Sequence, residues 1–526
     1  MKLREITRDD AKMLFKWRNH HRKQFVNDSE IIWDDHLKFI DRYFRPGNDE
    51  HWYIAEHDGY PVGSIAIYNL FHDGSREWGR ILVAPGLQGE GYGRKMMTLC
   101  TQKAIELGIE SLRATVLADN AVSLYLHRKM GFQTVKFRRD GDRAFFDLSL
   151  DLKPLNVLKP FYRSEEILAE IEECLEVGWT GLGYKTEKFE SAWKTYTGFD
   201  NAHMTNSATA GLHTAVSVLK NHYDWWLPGD EIITTPLTFV STNHVILYEH
   251  LVPVFADVDE SLCLDVADVS RKISPNTKAI MYVGMGGNPA NLQRIQELAY
   301  AHDLKLIVDA AHMAGAWMPD GTHAGIGADA TVFSFHSVKN LPTADSGMVC
   351  FKNAELDRIA RKMTWLGISK DTYSRSQSAA GYRWRYDVPH VGQKYHGNSI
   401  MASMGLVGLK YLERDNEHRR RLADEYSKSI LERNINVDLV PIGKGCKSSR
   451  HLYQIMVDNR DEIMLGLNKY GIFPGVHYDD NTKYPMYEGD CPMARKISER
   501  LISLPLHLHM DTADVHRVCA VLEELV

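Results

Sequence analysis

Two rhythms of apolar residues follow one another along the chain and change at about residue 152. Before it, short alternating runs such as Trp52–Glu56 and Gly63–Tyr68 mix with helical stretches, and Arg143–Leu150 (RAFFDLSL) alternates like a closing sheet strand. A basic, proline-marked link, Asp151–Pro160, follows. Beyond it, apolar runs at Glu231–Thr235, Ala279–Val283, Lys305–Val308 and Thr331–Phe335 are separated by helical segments. Strands apolar on both faces, with helices between them, are what a mostly parallel and doubly covered sheet requires. From Ser399 on, charged helices alternate with short strands, which predicts a smaller C-terminal subdomain. The 526 residues exceed what one core usually holds, so two domains are expected, 1–152 and 153–526, both of the α/β class.

Composition closes off several classes. Hydrophobic residues make up 44% and charged residues 25%, the usage of an ordinary folded chain rather than a disordered one. No apolar run reaches the ~20 residues of a membrane helix. The N-terminus, MKLREITRDD, turns polar at once, unlike a secretion signal. The seven cysteines contain no C-x-x-C pair, so reduced thiols are expected rather than a disulfide framework or a zinc site. Net charge is −7 with acids and bases interspersed, which leaves no general footprint for nucleic acid. The expectation is a soluble, cytoplasmic protein with no metal and no nucleic-acid or membrane partner.

In the first part, Ile81-Leu82-Val83 reads as a strand, Gln88-Gly89-Glu90-Gly91-Tyr92-Gly93-Arg94 follows it, and a helix is predicted from about Lys95 to Leu107. Glycines between a strand and a helix start let backbone N–H groups approach an anion, which the helix dipole favours. Taken alone, the triplet also suits a plain turn. Together with Asn120-Ala121-Val122-Ser123-Leu124-Tyr125 and Met130-Gly131-Phe132, the stretch resembles the acetyl-CoA loop and following helix of the GNAT N-acetyltransferases, over residues 1 to 150. The resemblance implies a mixed sheet with helices. It implies that Leu82 and Val83 meet the pantetheine arm of acetyl-CoA, and that Gln88, Gly89, Gly91, Gly93 and Arg94 form the pyrophosphate loop. Asn120 would also touch coenzyme A, and Tyr125 would serve as acid for the thiolate. Glu77 is the candidate base, since an amine must lose a proton to attack a thioester; it is equally readable as a solvated strand residue. His127 reads as a surface helix residue.

In the second part, Lys339 stands just after the apolar run Val332-Phe333-Ser334-Phe335. Burying an ammonium is costly, desolvation lowers lysine basicity, and the neutral amine is what bonds an aldehyde. A lysine emerging into solvent is the plainer alternative. Upstream, Leu306-Ile307-Val308-Asp309 ends another apolar run on a carboxylate, which pyridoxal phosphate needs opposite its ring nitrogen. Asn206-Ser207-Ala208-Thr209-Ala210-Gly211 offers small residues and hydroxyls at a helix start, an arrangement suited to phosphate. Phe239 could stack on the ring or simply fill the core.

These blocks in this order resemble the DegT/StrS nucleotide-sugar aminotransferases, fold type I pyridoxal-phosphate enzymes, from about residue 157 to the end. The resemblance implies a mostly parallel seven-stranded sheet. It implies that Lys339 carries the cofactor and shuttles the proton, with Asp309 on the ring nitrogen and His312 near the phenolic oxygen. Thr209, Ala210 and Ser334 would hold the phosphate, and Phe239 would stack. His477 and Tyr478 are expected on the substrate side. So is His396, where related proteins place an asparagine or arginine that reaches a neighbouring subunit. Gly284-Met285-Gly286-Gly287 and Asp345-Ser346-Gly347 depart from the family pattern and leave the sugar open.

Taken together, the resemblances imply a bifunctional enzyme and a homodimer. An amino donor, L-glutamate in the family, would aminate a nucleotide-linked keto-deoxysugar, and acetyl-CoA would acetylate the new amine, for surface glycan synthesis. The alternative is an active aminotransferase whose GNAT-like module only binds a ligand or acetylates an unrelated amine.

Overall fold

In the computed structural model, which describes residues 1–223, 225–369 and 386–526, seven strands build the first sheet. They are β1 (Lys2–Glu5), β2 (His51–His57), β3 (Tyr60–Leu70), β4 (Arg76–Val83), β5 (Ser111–Leu117), β6 (Gln133–Asp140) and β7 (Arg143–Asp151), in the order β1-β2-β3-β4-β5-β7-β6. The period-2 pattern of β2 shows why helices cover both faces. Trp52 and Ile54 pack with α1 (Ala11–His20) and α2 (Trp33–Tyr43), whereas Tyr53 and Ala55 pack with α3 (Tyr92–Glu106). Every neighbouring pair is antiparallel except β4 and β5. That parallel pair is joined only at Arg76↔Leu112 and Glu77↔Arg113. Beyond Glu77 the two strands part, and a cleft opens in the middle of the sheet.

The second sheet takes β9 (His203–Thr205), β10 (Glu231–Thr234), β11 (Val252–Phe255), β12 (Thr277–Val283), β13 (Lys305–Asp309), β14 (Ala330–Ser334) and β15 (Gly347–Phe351) in the order β11-β10-β12-β13-β14-β15-β9. Five strands run parallel in succession, and β15 is antiparallel to both its neighbours. On β12, Ile280 and Tyr282 enter one apolar cluster and Ala279 and Met281 another, so both faces are covered. This explains the unbroken apolar runs.

The C-terminal part holds a three-stranded sheet of β16 (Asp438–Leu439), β17 (Tyr453–Met456) and β19 (Leu501–Leu504). The segment Asp151–Pro160 is more than the link expected from its sequence. It forms β8 (Leu155–Asn156), which pairs with β18 (Ile472–Phe473). The last helix, Thr512–Leu525, fixes the same segment. Arg517 from that helix is buried and donates to the carbonyls of Lys153 at 2.7 Å, Leu152 at 3.2 Å and Tyr470 at 2.8 Å. Ala520 of the same helix belongs to the apolar core of the first domain. Among the described residues, no helix is long and apolar enough to cross a membrane.

Candidate active sites

β13 and β14 lie side by side, with Asp309 opposite Val332, so their C-terminal ends meet at one edge of the sheet. Asp309 closes β13 and is buried there. Its Oδ2 accepts a hydrogen bond from the Thr242 hydroxyl at 2.7 Å and its Oδ1 accepts one from the Ala311 N–H at 3.0 Å. Burial raises the Asp309 pKa; the two hydrogen bonds and the Lys339 charge oppose the rise. Lys339 lies in the turn after β14, its N–H bonded to the His336 carbonyl at 2.8 Å. Burial pulls its pKa down from 10.5 to about 8, against the raising influence of Asp309. Such a lysine holds a usable neutral fraction near neutral pH, the form that bonds a carbonyl.

His312 is buried on the same edge. The Gly286 N–H donates to its Nδ1 at 3.2 Å, so the neutral ring carries its proton on Nε2, 3.3 Å from the Tyr478 hydroxyl. Burial and the Lys339 charge push the His312 pKa well below 6.5. His477 is held down to about 4 by burial and by Lys339, and its Nδ1 lies 3.0 Å from the Ser503 hydroxyl. Phe239 is 55% exposed, its ring 5.8 Å from that of Tyr478. It therefore presents a free aromatic face rather than filling the core.

Ser207 caps the helix Ala208–His222, its hydroxyl accepting from the Ala210 N–H at 3.1 Å. Thr209 and Ala210 thus stand in the first turn, where backbone N–H groups favour an anion. Ser334 ends β14 and is buried. The loop of His396 is tied to this helix start, because the Asn206 N–H donates to the Tyr395 carbonyl at 2.7 Å. The His396 ring lies 4.4 Å from that of Trp365.

The second group of residues lies on β4, α3, the helix Ala121–Lys129 and the loops ahead of the two helices. Leu82 and Val83 end β4, paired with Ser64 and Gly63 of β3. The Gln88 side chain braces the turn that follows, donating to the Ala84 carbonyl at 3.2 Å and accepting from the Gly86 N–H at 3.0 Å. Gly89 and Gly91 have φ of 91° and 81°, a left-handed backbone that glycine adopts readily. A Cβ at either would meet open space, so the loop presents a bare concavity. Gly91 caps α3, which starts at Tyr92, three residues before the predicted start. Gly93 lies in its first turn, close to Val83.

Arg94 points elsewhere. Its Nε donates to Glu524 at 2.9 Å and its Nη1 pairs with Glu523, both on the last helix of the chain. Asn120 caps α4 (Ala121–Lys129), accepting from the Ser123 N–H at 3.1 Å. Tyr125 on α4 is 60% exposed. Glu77 accepts from Asn69 Nδ2 at 2.8 Å and lies at the point where β4 and β5 separate. His127 is not a surface residue: it is 3% exposed. Its Nδ1 donates to the Ser123 carbonyl at 2.8 Å and its Nε2 accepts from the Trp78 indole at 3.2 Å, which locks one tautomer. Burial lowers its pKa to about 4.

Three contributions escape sequence reasoning. Thr242 orients Asp309 from the helix Ser241–Tyr248. His451, its ring 4.4 Å from that of His312, hydrogen-bonds Asn340, the neighbour of Lys339, at 3.0 Å. Glu523 binds Arg94 from the far end of the chain. None carries a local motif, since each depends on elements distant in sequence.

Comparison with known proteins accords with both geometries. Residues 162–523 match the model of the DegT/DnrJ/EryC1/StrS aminotransferase family, and residues 14–132 match the acetyltransferase (GNAT) family. The spore coat polysaccharide biosynthesis protein SpsC of Bacillus subtilis is 33% identical over 383 residues, which cover 70% of this chain and 96% of SpsC. Among solved structures, Helicobacter pylori PseC, an aminotransferase involved in the biosynthesis of pseudoaminic acid, aligns with a TM-score of 0.65. The identity is 27%, over 71% of this chain and 99% of PseC. The PLP-form of the putative sugar aminotransferase Spr1654 from Streptococcus pneumoniae aligns at 0.62 with 26% identity, over 71% of this chain and 100% of Spr1654. A buried carboxylate closing β13 and a lysine in the turn after the adjoining β14, with a glycine loop beside a split sheet, accompany these matches: the chain belongs to the DegT/DnrJ/EryC1/StrS aminotransferase family and carries a GNAT acetyltransferase domain ahead of it.

Proposed function

We propose that the chain makes an acetamido sugar in two steps. The second domain transfers nitrogen from L-glutamate to a nucleotide-linked keto-deoxysugar, and the first acetylates the resulting amine with acetyl-CoA. The observation that carries this reading is the union, in one polypeptide, of a site that produces a primary amine with a cleft suited to consuming one. The polysaccharide and pseudoaminic acid roles of SpsC and PseC support a place in surface glycan synthesis. The same reading makes the protein cytoplasmic, where nucleotide sugars and acetyl-CoA are made, and a homodimer in which His396 serves the neighbouring subunit's site.

The donor set suits pyridoxal phosphate. Lys339 is the attachment point, and buried Asp309 is the partner for a protonated ring nitrogen. The helix start at Thr209 and Ala210, with Ser334, suits a phosphate, and Phe239 offers a stacking face. His312 Nε2 suits the phenolic oxygen. The bound group would supply an electron sink for the carbon that exchanges nitrogen. In that setting the Lys339 amine would be the base that moves the proton, because its lowered pKa lets it both take and return one. His477 and Tyr478 bound the space where the sugar enters.

At the other site, the unpaired edge of β4 at Leu82 and Val83 receives the pantetheine arm, and Gly89, Gly91 and Gly93 receive the pyrophosphate. Glu77 takes the amine proton, and Tyr125 protonates the departing thiolate. The domains are taken as residues 1–152 and 153–526. Two variants test the reading. Lys339→Ala should stop amination while still acetylating a supplied amino-sugar nucleotide, and Gly91→Trp should do the reverse. Mixing the two should restore the complete conversion. An acetylation-competent Lys339→Ala protein that rejects every amino-sugar nucleotide offered would leave only the reading in which the GNAT domain serves an unrelated amine.

A further inference from the structure

A pocket shares the Val338–Asn340 turn with the reactive lysine and is closed by the segment Leu158–Arg163, the helix Ser399–Arg433 and the loop Leu506–Leu508. Two polar side chains line it without partners. Arg419 is 7% exposed, and its Nη1 has no hydrogen-bond acceptor. His507 is 4% exposed, and neither of its ring nitrogens has a partner.

A buried guanidinium without an anion is costly, because desolvation is not repaid by a counter-charge. The carboxylate one helical turn away, Asp415, is already engaged, its Oδ1 accepting from Arg163 Nη2 at 2.7 Å. Asp415 also pairs with Arg414 at 3.7 Å and acts on Arg419 only through its charge, so three guanidiniums share one carboxylate and Arg419 is left without an acceptor of its own. Burial lowers its pKa to about 10, so it stays charged at neutral pH. His507, held to about 4 by burial and its cationic neighbours, is neutral there and can donate one N–H. The pocket is also near the chemistry. His451 packs a tilted ring against His312 and bonds Asn340, and its pKa is pushed well below 6.5 by burial first and then by neighbouring charges that include Lys339 and Arg419. Lys339, His451 and Arg419 thus line one pocket, and the imidazole feels both charges.

We infer that Arg419 and His507 form the carboxylate-binding subsite for the amino-acid donor. This rests on the reading above that an amino acid supplies the nitrogen. A planar guanidinium matches a carboxylate through paired N–H donors, and one cation matches one negative charge, where a nucleotide diphosphate brings two. A carboxylate held here would anchor the donor with its amine toward Lys339.

The test uses the full-length protein loaded with pyridoxal phosphate. Arg419→Met should raise the L-glutamate concentration that half-completes the cofactor's spectral change by about a hundredfold, with Arg419→Lys recovering part of the loss. His507→Phe, with the guanidinium intact, should raise it about tenfold. Glutarate, which has the carboxylates but no amine, should raise the melting temperature of wild type and not of Arg419→Met. The reverse half-reaction from an amino-sugar nucleotide should be unchanged. A folded, fully loaded Arg419→Met protein that responds to glutamate like wild type would overturn the assignment. So would a loss confined to the amino-sugar arm, which would make the pocket a phosphate site. If wild type ignores glutamate, the donor named above is wrong. Glutarate then decides the pocket alone: binding that requires Arg419 supports it, and no binding refutes it.

Discussion

Lys339 works under two opposed influences, burial that lowers its pKa to about 8 and the Asp309 carboxylate that raises it. The neutral amine is the nucleophile, so uptake of pyridoxal phosphate by the apoprotein should rise with pH through about 8, well below the ordinary 10.5. Spectrophotometric titration of the apoprotein checks this, and borohydride should then fix the cofactor to the peptide containing Lys339. Asp309→Asn should still take up the cofactor, while the glutamate half-reaction slows by roughly a hundredfold or more, because a neutral amide cannot hold the ring nitrogen's proton. Stopped-flow rates near wild type would contradict the role given to Asp309. These two residues were legible in the sequence because each follows an apolar run, where a charged side chain needs a reason. Arg419 was not. It stands in Arg419-Arg420-Arg421, a charge run on a long helix, and only the fold separates the three. Arg420 pairs with Glu413 and Glu417, whereas Arg419 turns into the pocket.

The strands and helices that position the sites were largely visible as periodicity, but their junctions were not. The loop from β4 to α3 was legible through its glycines, two of which adopt the left-handed backbone. Gly91→Trp should abolish acetylation and spare amination, since a β-carbon is strained at a φ of 81° and the ring would fill the concavity. Parallel assays of amination and acetylation measure this directly. The burial of His127 was illegible, because α4 carries polar residues on several sides and only the crossing with Trp78 encloses it. Its folded pKa of about 4 lies below the ordinary 6.5, so the unfolded chain takes up the proton first. The stability tied to His127 is full above pH 6.5 and falls as the pH drops toward 4, by on the order of 3 kcal/mol. Melting curves at pH 7 and pH 5 should therefore differ less for His127→Phe than for wild type. An equal pH dependence in both would remove His127 from this account.

At the scale of the whole molecule, the last helix belongs to both domains. Glu523 binds Arg94 beside the glycine loop on one side and Arg433 at 2.8 Å on the other, and Arg433 in turn bonds the Lys129 carbonyl at the end of α4. The Arg433 side chain is 2% exposed. Glu523→Ala should therefore cost on the order of 3 kcal/mol, because it leaves a buried guanidinium without its carboxylate. That loss should appear as a lower denaturation midpoint of the full-length protein, with the acetyltransferase activity lost no later than the cofactor absorbance, because Arg94 loses the same carboxylate. Residues 1–152 expressed alone should lose acetyl transfer, since Ala520 is then missing from their core. The two domains are thus structurally joined through the last helix, which the short link between them did not reveal.

The central claim is that one polypeptide aminates and then acetylates the same sugar. Wild-type protein incubated with a panel of nucleotide-linked keto-deoxysugars, nitrogen-labelled L-glutamate and acetyl-labelled acetyl-CoA gives the most direct test, read by mass spectrometry of the nucleotide-sugar pool. The account predicts one product carrying both labels, replaced by the singly labelled amine when acetyl-CoA is withheld. An amine that accumulates without ever gaining the acetyl label, while acetyl-CoA is present and the glycine loop is intact, would contradict it.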